Sequence, residues 1–330
     1  MGGFLLNEKA LAVLEQYDLT ILSVRRGRGS FLVETDQGLK RFEEYSGTDG
    51  RLKFQNRVLA HLRTEGFRNV DLVLPNREGG LCSADKDETR YIVKDWYEGR
   101  ECDVNSLPDV LASVRVLAAL HKQMRLPREE GEGYGDIPLL EELERKMREL
   151  RKVRKFIRTR RGKNEFEQQF LDLYGVFEEE AEKTMEELRT GGGSSLYEKS
   201  FQEGCIVHGD YNHHHILFLR KGEAVTDFGR CHYGVQVGDF CQFLRKVLEK
   251  RNWDQEYGRR MIREYQKIRP LDGQEYLELK LRLQYPEKFW KLANHYFASN
   301  KAWLPKKNTE KLFLLKEQQK AKADFLKMLE

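Results

Sequence analysis

Over roughly the first hundred residues, short β-branched and aromatic runs alternate with turn residues, the pattern of strands in one sheet. Such runs fall at 20–24, 30–34 and 38–42, and two more, at 70–74 and 90–96, extend the same sheet. Arg26-Gly27-Arg28-Gly29 separates the first two runs, and Asn76-Arg77-Glu78-Gly79-Gly80 lies between the last two; both are turn compositions. A short amphipathic helix is predicted over 8–17 and a second over 51–63, whose buried set is Leu52, Val58, Leu59 and Leu62.

From residue 107 onward helical spacing dominates. The stretch 110–124 places Leu111, Val114, Leu117, Ala118 and His121 on one face, where His121 reads as a structural histidine. Helices follow over 139–161, 239–250, 259–268, 276–283, 289–297 and 310–329. The last is expected to bury Leu312, Phe313, Phe325, Leu326 and Leu329 and to turn its lysines outward. Thr-Gly-Gly-Gly-Ser-Ser at 190–195 predicts an exposed loop. A strand-rich first part and a helical second part make an α+β chain of two lobes. The expected division is an N-terminal antiparallel β-sheet lobe over 1–98 and a larger, mainly helical C-terminal lobe over 99–330.

Composition agrees and narrows the function. At 330 residues the chain is long enough for two cores, and 39% hydrophobic with 34% charged residues describes a polar, foldable protein. A net charge of +4 against 58 basic residues does not mark a nucleic-acid binder. The basic run 145–163 reads as a solvated helix face offset by the acidic stretch 178–187. Five cysteines without a CxxC pair indicate reduced thiols, not a zinc site or a disulfide framework. Residues 1–14 lack the pattern of a secretory signal and no apolar run is long enough to span a bilayer, so cytoplasmic synthesis and no membrane partner are expected.

The chemistry concentrates in two stretches. Ile206-Val207-His208-Gly209-Asp210-Tyr211-Asn212-His213-His214-His215-Ile216-Leu217 ends a buried turn on an acidic residue, and Val225-Thr226-Asp227-Phe228-Gly229 follows across a short apolar hairpin. In kinases and their small-molecule relatives, a pair laid out this way places one Asp at the acceptor hydroxyl and the other on the magnesium that bridges the ATP phosphates. Asp210 is the candidate catalytic group, with His208 bracing the turn beside it; Asp227 is the candidate metal ligand. Three consecutive histidines point different ways and do not hold one ion. His215 alone stands at a metal-facing position, and imidazole suits zinc better than magnesium. Gly27 and Gly29 offer backbone N–H groups over phosphates, Lys40 is the candidate phosphate lysine, and Asp95 and Tyr97 lie in a hinge, 95–100, that faces an adenine edge.

Beyond these stretches, Gly38-Leu39-Lys40-Arg41, Lys94-Asp95-Trp96-Tyr97-Glu98-Gly99-Arg100, Leu117-Ala118-Ala119-Leu120-His121 and Arg230-Cys231-His232-Tyr233 carry a family likeness. So do Tyr285-Pro286-Glu287-Lys288-Phe289-Trp290, Asn294-His295-Tyr296 and Lys301-Ala302-Trp303, which are not general kinase features. The chain resembles the CotS-type spore-coat proteins of endospore-forming bacteria, which share the fold of aminoglycoside phosphotransferases and choline kinases. The resemblance implies a protein-kinase-like fold, ATP and magnesium as cofactors, and residence in the spore coat. It matches Lys40 to the phosphate lysine, Asp210 to the catalytic Asp and Asp227 to the metal Asp. His215 stands where an Asn is expected, and Gln55 or Asn56 stands where a helix Glu is expected. Two readings follow. One is a phosphotransferase acting on a hydroxyl of a small molecule or coat component; the other is a pseudokinase that binds coat proteins as a scaffold.

Overall fold

β1 (Ile21–Gly27), β2 (Ser30–Thr35), β3 (Gly38–Glu44), β4 (Ser83–Ala84) and β5 (Arg90–Asp95) form an antiparallel sheet in the order β1-β2-β3-β5-β4. The computed structural model describes residues 10–27, 29–129, 133–191, 193–298 and 306–329. Arg28, residues 8–9 of the first predicted helix and Lys301-Ala302-Trp303 lie outside them. By packing, the chain divides into two compact units, Met1–Tyr134 with His208–His232, and Gly135–Val207 with Tyr233–Glu330.

In the first unit, side chains alternate across the sheet. On one face Val33, Phe42, Tyr91 and Val93 pack against Ala10, Val13, Leu14 and Tyr17 of the N-terminal helical segment. On the other, Ile92 meets Val73 and Leu52 of α1 (Asp49–Thr64). α1 starts where the Thr48 hydroxyl accepts from the Arg51 N–H, with Asp49 in its first turn and Arg63 in its last, each charge matched to the helix dipole. Register pairs Arg41 with Lys94 and Lys40 with Asp95. The strand predicted at 70–74 is reduced to single bridges, Val70 with Val225 and Val73 with Lys94. Its backbone is spent elsewhere: Leu72 N–H bonds back to Val70 O and Val73 N–H donates to Asn56 Oδ1. A second sheet holds β6 (Arg100–Glu101), β7 (Ile216–Phe218) and β8 (Glu223–Val225). α2 (Leu107–Gln123), capped by Ser106, buries His121 completely.

The second unit is helical: α3 (Leu139–Thr159), α4 (Glu165–Thr190), α5 (Gly193–Gln202), α6 (Val237–Lys250), α7 (Gln255–Ile268), α8 (Gly273–Gln284), α9 (Glu287–Ala298), α10 (Lys306–Glu317) and α11 (Gln319–Lys327). Its core joins the inward faces of α3 and α4 to Leu281, Tyr285, Phe289, Tyr296 and Leu312. Phe289 stacks on Phe170 at 4.9 Å and on Phe177 at 4.4 Å. The basic run on α3 meets the acids of α4: Arg151 with Glu182 at 3.0 Å, Arg154 with Glu178 at 3.3 Å. Two expectations are corrected. The 190–195 loop is largely helical: α4 runs to Thr190 with Gly191 as its C-cap and α5 starts at Gly193, while Gly192 lies outside the described residues. The predicted helix 310–329 is two helices, broken at Gln318, whose side chain donates to Glu249 O at 2.8 Å. Leu312 and Phe325 point inward but Phe313 is 56% exposed. No helix among the described residues is long and apolar enough to cross a membrane.

Candidate active site

The two acidic residues are held by backbone geometry. Gly209 has φ +79°, and a Cβ there would lie 2.2 Å from Arg230 O, so only glycine lets the turn before Asp210 approach the segment after Asp227. His208, fully buried, accepts from Asp210 N–H through Nδ1 at 3.2 Å, which leaves Nε2–H to donate to Thr226 O at 3.0 Å. Those bonds tie the Asp210 turn to the residue preceding Asp227, so His208 is a brace. The β7–β8 hairpin pairs Ile216 with Val225 and fixes the separation of the two turns. Asp227 itself is left-handed, φ 64° and ψ 49°, a conformation that Asp and Asn tolerate better than most side chains. Its N–H donates to Asp71 Oδ2 at 2.8 Å.

Around the Asp227 carboxylate stand three nitrogen groups. Lys94 Nζ is 3.0 Å away, Arg41 Nη1 3.5 Å and His215 Nε2 3.7 Å. His215 Nδ1 lies 2.9 Å from Asp210 O, so this one ring spans both acidic turns. Lys94 also meets Asp71 and Glu43, each at 2.9 Å, and Arg41 Nε meets Glu43 at 2.7 Å. The Trp96 ring lies under the Arg41 guanidinium at 4.5 Å. From α1, Arg51 donates to Gly229 O at 2.8 Å.

Electrostatics sort these groups. Burial works against the Lys94 ammonium, but Asp71, Glu43 and Asp227 outweigh it and hold its pKa above the ordinary lysine value. Burial raises Asp71, opposed by Lys94. Burial also pushes Asp227 up, yet Lys94, Arg41 and His215 prevail and keep it below 3.8, so it is ionised at neutral pH.

Magnesium is bound by hard oxygens, commonly one or two carboxylates, with water and phosphates completing its shell. Asp227 supplies one such carboxylate, and Asp71 Oδ1 beside it is a buried oxygen with no hydrogen-bond partner among the described residues. No group of three or more His, Cys, Asp or Glu among the described residues makes a metal cage by itself. The donor set therefore fits a magnesium shared with phosphates and does not fit a site closed by protein alone.

The residues singled out from sequence are placed as follows. Asp210, His208, His215 and Asp227 come together. Lys40 does not join them: it projects from the opposite face of β3, where Nζ donates to Asp95 at 2.7 Å and to Gln37 O at 2.7 Å. Asp95 also takes Arg63, and its own N–H goes to Leu72 O. Tyr97 Oη donates to Val70 O at 2.8 Å. Gly27 and Gly29 flank the β1–β2 turn, Gly29 at φ +66°. Asn56 is engaged with Val73 N–H, and Gln55 is buried, so neither supplies a partner to Lys40. The sequence reading missed Lys94, Arg41, Glu43 and Asp71. A lysine directly after the apolar run Tyr91-Ile92-Val93, and an aspartate between Val70 and Leu72, are the available signals, since buried charges are rare unless paired.

An aminoglycoside phosphotransferase from Alicyclobacillus acidocaldarius superposes with a TM-score of 0.84 at 19% identity, covering 97% of this chain and 94% of that one. A spectinomycin phosphotransferase solved with ADP and spectinomycin gives 0.66 at 11% identity, over 94% and 93% of the two chains. An amicoumacin kinase solved with AMP-PNP and Ca2+ gives 0.58 at 14%, over 98% and 94%. No curated protein sequence matches the chain. The kinase-like α+β fold is thereby shown. Residues 20–275 match the phosphotransferase enzyme family, APH, and the chain belongs to that family.

Proposed function

We propose that this protein transfers the γ-phosphoryl group of ATP to a hydroxyl group, with magnesium as the bridging ion. The observation that carries this reading is the ionised Asp227, which faces Lys94, Arg41 and His215, the last also touching the Asp210 turn. The bond from γ-phosphorus to the bridging oxygen breaks and leaves ADP; a new bond forms to the acceptor oxygen, whose proton passes to Asp210. Asp227 would hold the metal, which would supply positive charge to the phosphates. Lys94 and Arg41 take the phosphate-facing role first given to Lys40, and Gly27 and Gly29 contribute backbone N–H groups at the roof. Asp95 and Tyr97 act through the hinge backbone, their side chains being engaged elsewhere. Family membership supports phosphoryl transfer, and relatives of the same fold were solved with ADP and AMP-PNP. The acceptor is a small molecule or a coat component; the second option, like residence in the spore coat, rests on the CotS-type resemblance. Two residues of those motifs, Trp290 and Asn294, are bound to Glu149 at 2.7 and 2.8 Å.

A second reading, a pseudokinase scaffold, is favoured by His215 and by the cations that already neutralise Asp227. Thermal-shift titration with ATP, with and without magnesium, separates the two. Phosphoryl transfer predicts a magnesium-dependent rise in Tm that Asp227→Asn removes and His215→Asn enlarges. No shift at millimolar Mg-ATP would leave the scaffold.

A further inference from the structure

α3 carries eight basic residues against four acidic ones, and the helix sorts them by face. Leu143, Met147, Leu150, Val153 and Ile157 form its buried stripe. At 3.6 residues per turn, Arg145, Arg148, Lys152 and Lys155 fall within an arc of about 80° on the side opposite that stripe. All four are exposed.

Most other charges of α3 turn to neighbouring helices. On one flank Arg151 and Arg154 meet Glu182 and Glu178 of α4, and Glu144 takes Arg189. On the other, Glu149 accepts from Trp290 and Asn294 of α9, while Glu142 binds Lys146. The acids of α4 therefore answer one flank only. The four outward cations have no ion pair or side-chain hydrogen bond among the described residues. Of the four carboxylates of α3, only Glu141, one turn before Arg145, is not engaged elsewhere among those residues.

Like charges three and four residues apart destabilise the helix that carries them. Their spacing of three, four and three residues is also that of one face of a helix laid alongside, so carboxylates at the same spacing would meet all four. The second unit already contains such a pairing: Glu178 and Glu182, one turn apart on α4, meet Arg154 and Arg151 in antiparallel order. None of the large apolar side chains exposed among the described residues lies on α3. The face thus offers no apolar group to enter a bilayer and no exposed aromatic ring to stack on a base.

We propose that the outward face of α3 docks an acidic helical segment of another protein, with carboxylates spaced to meet Arg145, Arg148, Lys152 and Lys155. The probes are two fluorescent, Ala-rich peptides of about 20 residues, long enough to hold helix in water. In one, glutamates follow the spacing of the four cations. In the other, of identical composition, they are set two residues apart, which spreads them round the helix. Anisotropy is followed with the full chain at one fixed ionic strength. The matched peptide should bind several-fold more tightly than its isomer. Arg148→Glu combined with Lys152→Glu should weaken it about tenfold, as two exposed pairs lost and reversed imply. That variant should keep its Tm, because it relieves like-charge contacts. Absence of binding, equal binding of the two peptides, or an affinity unchanged in the double variant overturns the proposal. Tighter binding of a DNA duplex or of phosphatidylserine vesicles, matched in charge concentration, overturns it too and gives the face to nucleic acid or to a membrane surface.

Discussion

Lys40 and Lys94 lie on adjacent strands of one sheet, both almost fully buried, and their ammonium groups serve opposite faces. On one face Lys40 meets Asp95 across the ladder and Gln37 three residues back. On the other face Lys94 collects Asp71 from a turn, Glu43 from β3 and Asp227 from the end of a hairpin far along the chain. The first lysine is held chiefly within the sheet; the second joins the sheet to two segments outside it, through Asp71 and Asp227. Strand alternation alone decides which is which, since a shift of one residue along a strand moves a side chain to the other face.

Substitutions test that asymmetry. Lys94→Met leaves Asp71 buried without its cation, and removing one partner of a buried ion pair costs about 3–5 kcal/mol; urea denaturation should show most of that loss, together with loss of any Mg-ATP shift. Asp227→Asn keeps the left-handed turn and removes charge alone. Because the folded pKa of Asp227 lies below its ordinary 3.8, its stabilising contribution is complete above that value and fades as pH falls through the lower, folded value. The stability gap between wild type and Asp227→Asn should therefore be pH-independent near neutrality and close in acid; a gap that widens in acid would contradict the ion pairing. Lys40→Met should cost less than Lys94→Met, since Asp95 keeps Arg63 as its cation. Nucleotide response should survive it, and its loss there would return Lys40 to the site.

How much of this was readable without coordinates follows from distance along the chain. The Asp210 and Asp227 turns were legible because glycine, acid and hairpin sit within a few residues of each other. Four strands of the main sheet are legible too; β4 (Ser83–Ala84) is too short to show a pattern, and at 70–74 a side chain from α1 captures the Val73 N–H. Lys94 was passed over because its role depends on the β3–β5 register and on Asp71, neither of which is local. The split at Gln318 is likewise set by a bond to Glu249 in another helix. Composition predicts a loop at the 190–195 glycines, whereas α5 begins at Gly193.

The glycine at 209 has one more implication. Since it is main chain, not carboxylate, that brings these turns into register, either acid could be exchanged without dismantling its surroundings. On the proposed phosphotransferase reading, a lineage descended from such a protein would be free to abandon turnover by one codon and keep its architecture, or to regain it the same way.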